Sequence, residues 1–309
     1  MKVFDDAALA ELGLDAFDFI DTVSEALRAH FTGDLPTIPK QMQITPAGAF
    51  AVGTQGMWVS RDLAFFHNLV GLDKVAVRGA PSIYRSAQVL FRSSDAAPLL
   101  FVQGIAVSSI LPVTMGIIGA KRFANPASET LTLIGAGLQG RLNLRAFAKA
   151  FPLKHVHIYS RSHDKVTALV TAAKELGLEA HACADAEEGV RAGDIVVSSI
   201  SDSIGIKPFL DLAWLKPNAF LSTIDMFRPW YRNGGVDSSA TLVADDVVQS
   251  RDMIAAGRIP DTLPIKCSLG EAISEGRSNI VVSNAPVVLL QPGCCASLFG
   301  MAVGILENG

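Results

Sequence analysis

A short run of glycines constrains this chain more than any other feature of its sequence. Residues 131–140, LTLIGAGLQG, carry an apolar run into glycines at positions 135, 137 and 140. In this pattern the first glycine permits a tight turn after a strand. The second lets the backbone approach a diphosphate, and the third allows close packing of helix on strand. The segment therefore predicts a strand, a turn and a helix that together bind a dinucleotide.

The residues after the glycines have the period of an amphipathic helix. Apolar and basic side chains occupy opposite stripes: Leu138, Leu142, Ala146 and Ala150 against Arg141, Arg145 and Lys149. The first turn of such a helix presents N–H groups and the positive end of the helix dipole to phosphates. The residues that we expect to contact the cofactor here are Gly135, Gly137, Leu138, Gln139 and Gly140.

Apolar runs of strand length alternate with helical segments through the second half of the chain. The runs are LTLIG, HVHIY, EAHAC, DIVVSSI, NAFLSTI and TLVAD. Continuous apolar strands are typical of a parallel sheet that helices cover on both faces. The fold class is therefore α/β, with a Rossmann-type, doubly wound sheet domain over residues 118–290.

The first 117 residues have a different pattern, with a helical period over 16–31 and several prolines between short runs. The runs FAVGTQGMWV and SAQVLFRSS have the character of antiparallel strands. After Gly293 the apolar sequence CCASLFGMAVGIL predicts a helix with no sheet strand left to serve. We expect this helix to return to the first domain, which becomes a discontinuous α+β domain of residues 1–117 and 291–309.

Charge and composition exclude several classes of function. The formal net charge is −4, and an isoelectric point near 5.9 gives no basic surface for nucleic acid. The N-terminus is acidic where a secretory signal has an apolar core. The apolar stretch 104–120 contains serine and threonine and is too polar for a membrane span. We therefore expect a cytoplasmic protein that binds neither nucleic acid nor membrane.

The sequence offers little support for metal, disulfide or nucleophile chemistry. The four cysteines lack metal-ligand spacing, and we expect no structural disulfide. His155 and His157 share one face of a predicted strand, but no third ligand is evident, so we expect no metal site. Neither a G-x-S-x-G elbow nor a P-loop lysine is present.

The segments TMGIIGAKRFANP, GAGLQG, GDIVVSSI and STIDMF resemble the ornithine cyclodeaminase and mu-crystallin family of NAD(P)-dependent proteins. The resemblance covers the whole chain. It implies a first domain for substrate binding and dimerisation, hence a homodimer, and a second domain for the cofactor. It also implies that Thr114, Ser199 and Ile200 contact the cofactor. The family holds imine reductases, amino-acid dehydrogenases, cyclodeaminases and a hormone-binding member.

Asp225 stands where the resembling family has its catalytic aspartate, at the end of the run NAFLSTI. A carboxylate in that place can hold or protonate the nitrogen of an imine or amine while hydride moves at carbon. The alternative is a strand-end aspartate that caps a turn.

The residues that bind the substrate carboxylate in the family differ here. Val113 occupies the place of an arginine, His67 or Asn68 that of a lysine, and Lys40 that of a second arginine. Lysine cannot reproduce the bidentate grip of an arginine on a carboxylate. We therefore expect Lys40 and His67 at the catalytic site, although His67 also fits a core residue. Either Lys40 or another cation binds the substrate, or the substrate lacks an α-carboxylate; the other cations are Arg61, Arg78, Arg85 and Arg228.

The second strand ends in Ser160, Arg161 and Ser162, where an NAD enzyme normally places an acidic side chain on the ribose diol. An arginine with flanking hydroxyls can pair with a 2′-phosphate instead. The sequence therefore favours NADP, with NAD as the alternative. In the other interpretation Ser162 only caps the next helix, and Arg161 lies over the adenine without selecting.

These observations predict a homodimeric, NADP-preferring oxidoreductase that acts on the C=N bond of a small substrate, with imine reduction as the favoured direction. Two alternatives stay open. One is a cyclodeaminase, in which the cofactor is oxidised and re-reduced in one cycle. The other is a protein that binds a small ligand without turnover.

Overall fold

The structure is a computed structural model that describes residues 1–72, 83–200, 206–231, 240–261, 263–275 and 284–309. The chain divides into two compact units. Unit 1 comprises Met1–Thr114 and Gly293–Gly309, and unit 2 comprises Met115–Pro292.

Unit 1 is built on a six-stranded sheet of order β1-β6-β5-β4-β3-β2. Its strands are β1 (Lys2–Phe4), β2 (Thr37–Ile44), β3 (Ala49–Trp58), β4 (Leu63–Leu72), β5 (Ile83–Arg92) and β6 (Pro98–Gly104). All pairings are antiparallel except that of β1 with β6. The two predicted strand runs lie in β3 and β5, and both pair with β4, which lies between them.

The helices of unit 1 are α1 (Asp6–Glu11), α2 (Ile20–Thr32) and α9 (Cys295–Asn308), the last helix of the chain. Helix α9 is apolar over most of its length and packs on α2 at very short range. A Cβ atom on Gly300 would come within 2.6 Å of Val23 Cα, so only glycine permits this approach. The buried faces of α2 and α9 form the core of this unit together with β3, β4 and β5.

Helix α3 (Ala106–Phe123) contains the division between the units, after Thr114. Unit 2 then alternates strands and helices. Its strands are β7 (Thr130–Ile134), β8 (His155–Tyr159), β9 (Glu179–Ala182), β10 (Ile195–Ser198), β11 (Phe220–Thr223), β12 (Thr241–Ala244), β13 (Ile265–Ser268) and β14 (Val287–Leu290). Its helices after α3 are α4 (Leu138–Ala150), α5 (His163–Glu175), α6 (Ala186–Ala192), α7 (Val247–Ala255) and α8 (Leu269–Glu275).

The strands of unit 2 form one parallel sheet of order β13-β12-β14-β11-β10-β7-β8-β9. The chain starts at β7, moves outward through β8 and β9, and then returns to add β10 on the other side of β7. The carboxyl ends of β7 and β10 therefore border the point where the strand order reverses. In open α/β sheets this point is where ligands bind. The predicted α/β, Rossmann-type fold class is confirmed.

The four cysteines are in the thiol form, and three of them are buried. Among the residues that the structure describes, no helix is both long and apolar enough to cross a membrane.

Candidate functional site

The glycine turn follows β7 directly, at the switch point of the parallel sheet. Gly135 has φ +113°, a backbone conformation that favours glycine. A Cβ atom there would stand 2.8 Å from the carbonyl oxygen of Ser199, and one on Gly140 would stand 2.4 Å from the carbonyl oxygen of Gly135. These two glycines allow the turn, the helix and β10 to pack together.

Gly137 has the opposite surroundings, because nothing lies within 4 Å of the place where its Cβ atom would stand. It is the N-cap of α4 and offers no side chain to the first turn of that helix. Gln139 and Gly140 lie in this turn, and the exposed side chain of Leu138 begins it. The turn therefore has open space beside the one glycine that a diphosphate needs to approach.

Ser199 and Ile200 lie at the end of β10, next to the glycine turn. The backbone N–H of Ser199 donates to the carbonyl of Ile134 at 2.9 Å, which continues the pairing of β10 with β7 to the start of the turn. The backbone N–H of Ile200 donates to Asp225 Oδ2 at 3.2 Å. Hydrogen bonds and packing within unit 2 thus connect Asp225 to the strand end that touches Gly135.

Asp225 is a buried carboxyl group. Its Oδ2 atom accepts hydrogen bonds from the Ser198 hydroxyl and from the backbone N–H of Ile200. Ser198 in turn accepts a hydrogen bond from Trp230 Nε1 at 3.2 Å, which orients its hydroxyl. Burial raises the pKa of Asp225 to about 6, although the hydrogen bonds from Ser198, Ile200 and Phe227 lower it.

The backbone immediately after Asp225 is strained. Met226 and Phe227 have φ values of +57° and +63°, which non-glycine residues rarely adopt. Phe227 is buried and stacks on Trp230 with a centroid distance of 6.1 Å. Consecutive left-handed residues persist only where packing holds them, and such strain is concentrated at functional sites.

The segment Ser160 to Ser162 follows β8. Arg161 is exposed, while Ser160 and Ser162 are half-buried. Ser162 occupies the N-cap position of α5, but its side chain makes no capping hydrogen bond. These three residues include no carboxylate, so their chemistry fits a phosphate better than a ribose diol.

Unit 1 buries two neutral polar side chains side by side. His67 on β4 and Gln88 on β5 occupy paired positions of the sheet, and both are almost fully buried. Within the described residues, neither ring nitrogen of His67 and neither polar side-chain atom of Gln88 has a hydrogen-bond partner. An unsatisfied buried polar group costs about 1–3 kcal/mol, so two together indicate a place where a ligand or ordered water binds.

Lys40 supplies positive charge near this pair. Burial lowers the pKa of His67 to about 3, and the charge of Lys40 lowers it as well. The imidazole is therefore neutral at physiological pH. A Cβ atom on Gly293 would lie 2.9 Å from Lys40 Nζ, so this ammonium lies against glycine backbone.

Arg61, one of the other candidate cations, is held by acidic and aromatic side chains of unit 1. It forms ion pairs with Glu25 at 2.5 Å and with Glu307 at 2.7 Å. Its guanidinium carbon also lies 4.8 Å from the ring centroid of Trp58. These contacts assign Arg61 a structural role.

Three further arginines complete the set of candidate cations. Arg228 donates to the carbonyl of Arg258 within unit 2. Arg85 is exposed and donates to the carbonyl of Tyr84. Arg78 lies outside the described residues. Lys40 is therefore the candidate cation whose charge acts on the buried pair.

Thr114 is buried inside α3, and its hydroxyl donates to the carbonyl of Ala16 at 3.1 Å. Its role in cofactor binding stays a prediction, and these contacts favour a structural role.

The sequence alone did not single out Ser198 or Gln88. Ser198 lies within the family segment GDIVVSSI, whose last two residues were the ones assigned to the cofactor. A serine at the end of the strand next to the Asp225 strand was the signal that could have found it. Gln88 had no signal, because its partner His67 is 21 positions away in the sequence and meets it only through the register of β4 and β5.

The switch point, the glycine turn and the buried acid beside it define a protein of the Rossmann-type α/β class that carries an additional α+β unit. The sequence profile of the ornithine cyclodeaminase/mu-crystallin family matches residues 8–252. The chain belongs to this family, and the resemblance inferred from the sequence is confirmed.

Individual relatives are distant. The ketimine reductase mu-crystallin of Macropus fuliginosus is 24% identical over 200 residues, which are 63% of this chain and 60% of that protein. The chain thus matches about 60% of the length of such curated relatives.

Two solved structures have the same fold over the whole chain. One is the Thermococcus litoralis Δ1-pyrroline-2-carboxylate reductase in complex with NADH and L-proline, with a TM-score of 0.80 and 16% identity. The structural match covers 100% of this chain and 97% of the Thermococcus litoralis chain. The other is an archaeal alanine dehydrogenase dimer with bound NAD, with a TM-score of 0.80, 17% identity and coverage of 100% and 95%.

Proposed function

We propose that the protein is an NAD(P)-dependent oxidoreductase that reduces the C=N bond of a small imine. The observation that carries this proposal is the connection of Asp225, through Ile200, to the strand end that packs on Gly135. The glycines fit a dinucleotide because Gly135 and Gly140 close the turn while the space beside Gly137 is open. When bound, a nicotinamide cofactor supplies or accepts the hydride. The activities of two relatives, a ketimine reductase and a Δ1-pyrroline-2-carboxylate reductase, support the same chemistry.

In this proposal Asp225 delivers the proton that accompanies hydride transfer. Reduction adds hydride to the imine carbon and a proton to its nitrogen, so a proton donor is required. A carboxyl group with a pKa of about 6 is protonated in roughly a tenth of the molecules at pH 7. An ordinary exposed aspartate is protonated far less often. Ser198 and the strained turn after Asp225 hold the carboxyl group in one position.

The cofactor is held by unit 2, and NADP is the preferred form. We assign contacts with the diphosphate to Gly135, Gly137, Leu138, Gln139 and Gly140. Ser199 and Ile200, at the neighbouring strand end, make further contacts with the cofactor. Arg161, with Ser160 and Ser162, pairs with the 2′-phosphate. Replacing Arg161 by alanine should lower NADPH affinity about ten- to a hundred-fold and leave NADH affinity unchanged. Arg145→Ala, an exposed arginine on α4, is the control.

Fluorescence titration with both nicotinamides tests this assignment. Equal or tighter binding of NADH than of NADPH to the unaltered protein would overturn the preference for NADP.

The substrate is bound by unit 1 through Lys40, His67 and Gln88. The two neutral side chains have buried hydrogen-bonding atoms without partners in the described residues, and they suit a carbonyl, hydroxyl or amide group. Lys40 contributes a single point charge rather than the bidentate grip of an arginine. We therefore propose a substrate that combines at most one anionic group with a neutral polar group.

The protein acts in the cytoplasm as a homodimer. Four cysteines in the thiol form support a reducing compartment. A fold relative that is a dimer and the exposed apolar side chains on one sheet face of unit 1, Ile38, Met57, Phe66, Val70 and Leu72, support the dimer.

A turnover assay on the purified protein tests the activity. We expect cyclic or linear imines to oxidise NADPH, seen as loss of nicotinamide absorbance. Ammonia release from a diamino acid without net absorbance change would instead indicate a cyclodeaminase. Saturable ligand binding with neither signal would indicate a binding protein. Failure to bind either nicotinamide would refute every form of the proposal.

A further inference from the structure

The edge of the parallel sheet in unit 2 brings two imidazoles and a carboxylate together. His155 starts β8, and Glu179 starts the edge strand β9 and pairs with it in register. His181 lies two residues along β9, on the same face. His155 Nδ1 lies 3.1 Å from one carboxylate oxygen of Glu179, and His181 Nε2 lies 3.4 Å from the other.

These separations match the requirements of one metal ion. Two donor atoms of a tetrahedral Zn²⁺ site, each about 2.0–2.1 Å from the ion, lie roughly 3.3 Å apart. The ligand atoms of His155, Glu179 and His181 all lie within 4.8 Å of one another. Small side-chain rotations therefore suffice to point all three donors at one ion. All three side chains are partly exposed, so an ion has access from solvent.

Neighbouring side chains hold part of this cluster in place. The ring of His157 stacks on that of His181 with a centroid distance of 4.9 Å and an interplanar angle of 21°. Strand pairing fixes the backbone of all three donors. Because all three donors lie on paired strands, binding an ion does not require a loop to become ordered.

We propose that His155, Glu179 and His181 form a site for one divalent transition-metal ion, with solvent water in the fourth position. Two imidazoles and one carboxylate select ions such as Zn²⁺, Ni²⁺ or Cu²⁺ and disfavour Mg²⁺ and Ca²⁺, which prefer all-oxygen ligands. His155 and Glu179 lie at the amino ends of their strands, whereas the glycine turn follows the carboxyl end of β7. The site is therefore independent of the proposed hydride transfer.

Isothermal titration of the full chain with ZnCl₂ and with NiCl₂ tests the site. We expect one equivalent to bind, and MgCl₂ to give no heat of binding. His181→Ala and Glu179→Gln should each lower the Zn²⁺ affinity at least about ten-fold. Changing a residue that only supports a metal ligand already costs about that much, and these changes alter the ligands themselves. His163→Ala removes another exposed histidine of unit 2 and should bind as the unaltered protein does.

Thermal unfolding gives a second readout that does not depend on heats of binding. Added Zn²⁺ should raise the Tm of the unaltered protein and of H163A equally, and should raise that of H181A less at the same Zn²⁺ concentration. Absence of binding to the unaltered protein, or equal affinity in the cluster variants and H163A, would overturn the proposal. Imine reduction should proceed equally in H181A and the unaltered protein. The metal site can therefore fail this test without affecting the proposed function, and the proposed function can fail without affecting the metal site.

Discussion

Asp225 combines a buried carboxyl group with hydrogen bonds that lower its pKa, and the balance of the two decides the pH range of the proposed chemistry. If its protonated form donates the proton, kcat/KM for imine reduction should be high below pH 6 and fall as pH rises through about 6. Asp225→Asn should reduce turnover about 10²- to 10⁴-fold while cofactor affinity changes little. A rate that rises through pH 6 would contradict the role as proton donor.

Ser198→Ala provides the matched test of this pH range. The hydroxyl of Ser198 lowers the pKa of Asp225 by donating to the carboxylate. Its removal should therefore shift the fall in kcat/KM to higher pH. A variant with reduced turnover but an unshifted profile would indicate that Ser198 has only a packing role.

The low pKa of His67 should make the free energy of unfolding depend on pH. Its pKa is about 3 in the folded protein and about 6.5 in an unfolded chain. As the pH falls below 6.5, the unfolded chain takes up a proton that the folded protein does not. The free energy of unfolding is therefore highest above pH 6.5 and decreases as the pH falls toward 3. Between pH 7 and pH 5 this residue should lower the free energy of unfolding by about 2 kcal/mol.

Urea unfolding at several pH values measures this dependence. His67→Gln cannot take up a proton and should show a flatter dependence by the same amount. The exposed His163→Gln should retain the dependence of the unaltered protein. An equal slope in His67→Gln would mean that His67 is not the group responsible.

The sequence could place Asp225 at the end of a strand, but it could not place the residues around His67. Asp225 belongs to a contiguous strand-end motif, so its position follows from a local pattern. Gln88 reaches His67 only because β4 and β5 pair in one register, and nothing local in the sequence encodes that register. The low pKa of His67 follows from burial, which depends on packing by several distant elements.

Gly137, the N-cap of α4, and Gly140, in the first turn of α4, should respond differently to the same substitution. A Cβ atom at Gly137 meets open space, so Gly137→Ala should cost less than about 1 kcal/mol of stability. It should nevertheless reduce NAD(P)H affinity at least about ten-fold, because the methyl group occupies the side from which a diphosphate approaches. A Cβ atom at Gly140 would stand 2.4 Å from the Gly135 carbonyl oxygen, so Gly140→Ala should destabilise by about 1–3 kcal/mol.

Denaturation and fluorescence titration of both variants distinguish these effects. Gly140→Ala should lose stability, whereas Gly137→Ala should lose cofactor affinity with little change in stability. Cofactor binding by Gly137→Ala as tight as that of the unaltered protein would show that the diphosphate lies elsewhere.

The strands of the parallel sheet differ in how clearly their own sequences indicate a strand. All six predicted runs of the parallel sheet are strands. Strands β10, β11 and β12 are buried throughout, which gives an uninterrupted apolar signal, whereas β8 alternates and the edge strand β9 is partly exposed. Strands β13 and β14 were missed: a four-residue apolar run such as VVLL does not distinguish strand from buried helix. Helix α2 begins at Ile20 instead of residue 16. The side chains of Asp15 and Asp18 bond to backbone N–H groups there and hold a turn.

The molecule as a whole presents an apolar face on the sheet of unit 1, opposite the face that carries His67. Its exposed members are Ile38, Met57, Phe66, Val70 and Leu72. Strand pairing places Phe66 next to Val89 and one row from Phe91, whose ring it meets edge to face at 5.9 Å. Exposed Gln55 and Asn68 lie on the same face, between these apolar side chains. A group of large exposed apolar side chains on one sheet face marks an interaction surface in many proteins. A second copy of the chain is the occupant that we propose, since a self-complementary patch closes a two-fold dimer.

Charge introduced on this face should therefore dissociate the dimer. In a C₂ dimer each substitution is present twice in one interface, so a buried lysine is desolvated without a partner in both copies. Val70 and Val248 are each 60% exposed, the first on this face and the second on α7 of unit 2. Sedimentation should give twice the 32.7 kDa chain mass for the unaltered protein and for Val248→Lys, and the single-chain mass for Val70→Lys. If Val70→Lys sediments as the unaltered dimer does, the subunits associate through a different surface, and if the unaltered protein is a monomer, the dimer proposal fails.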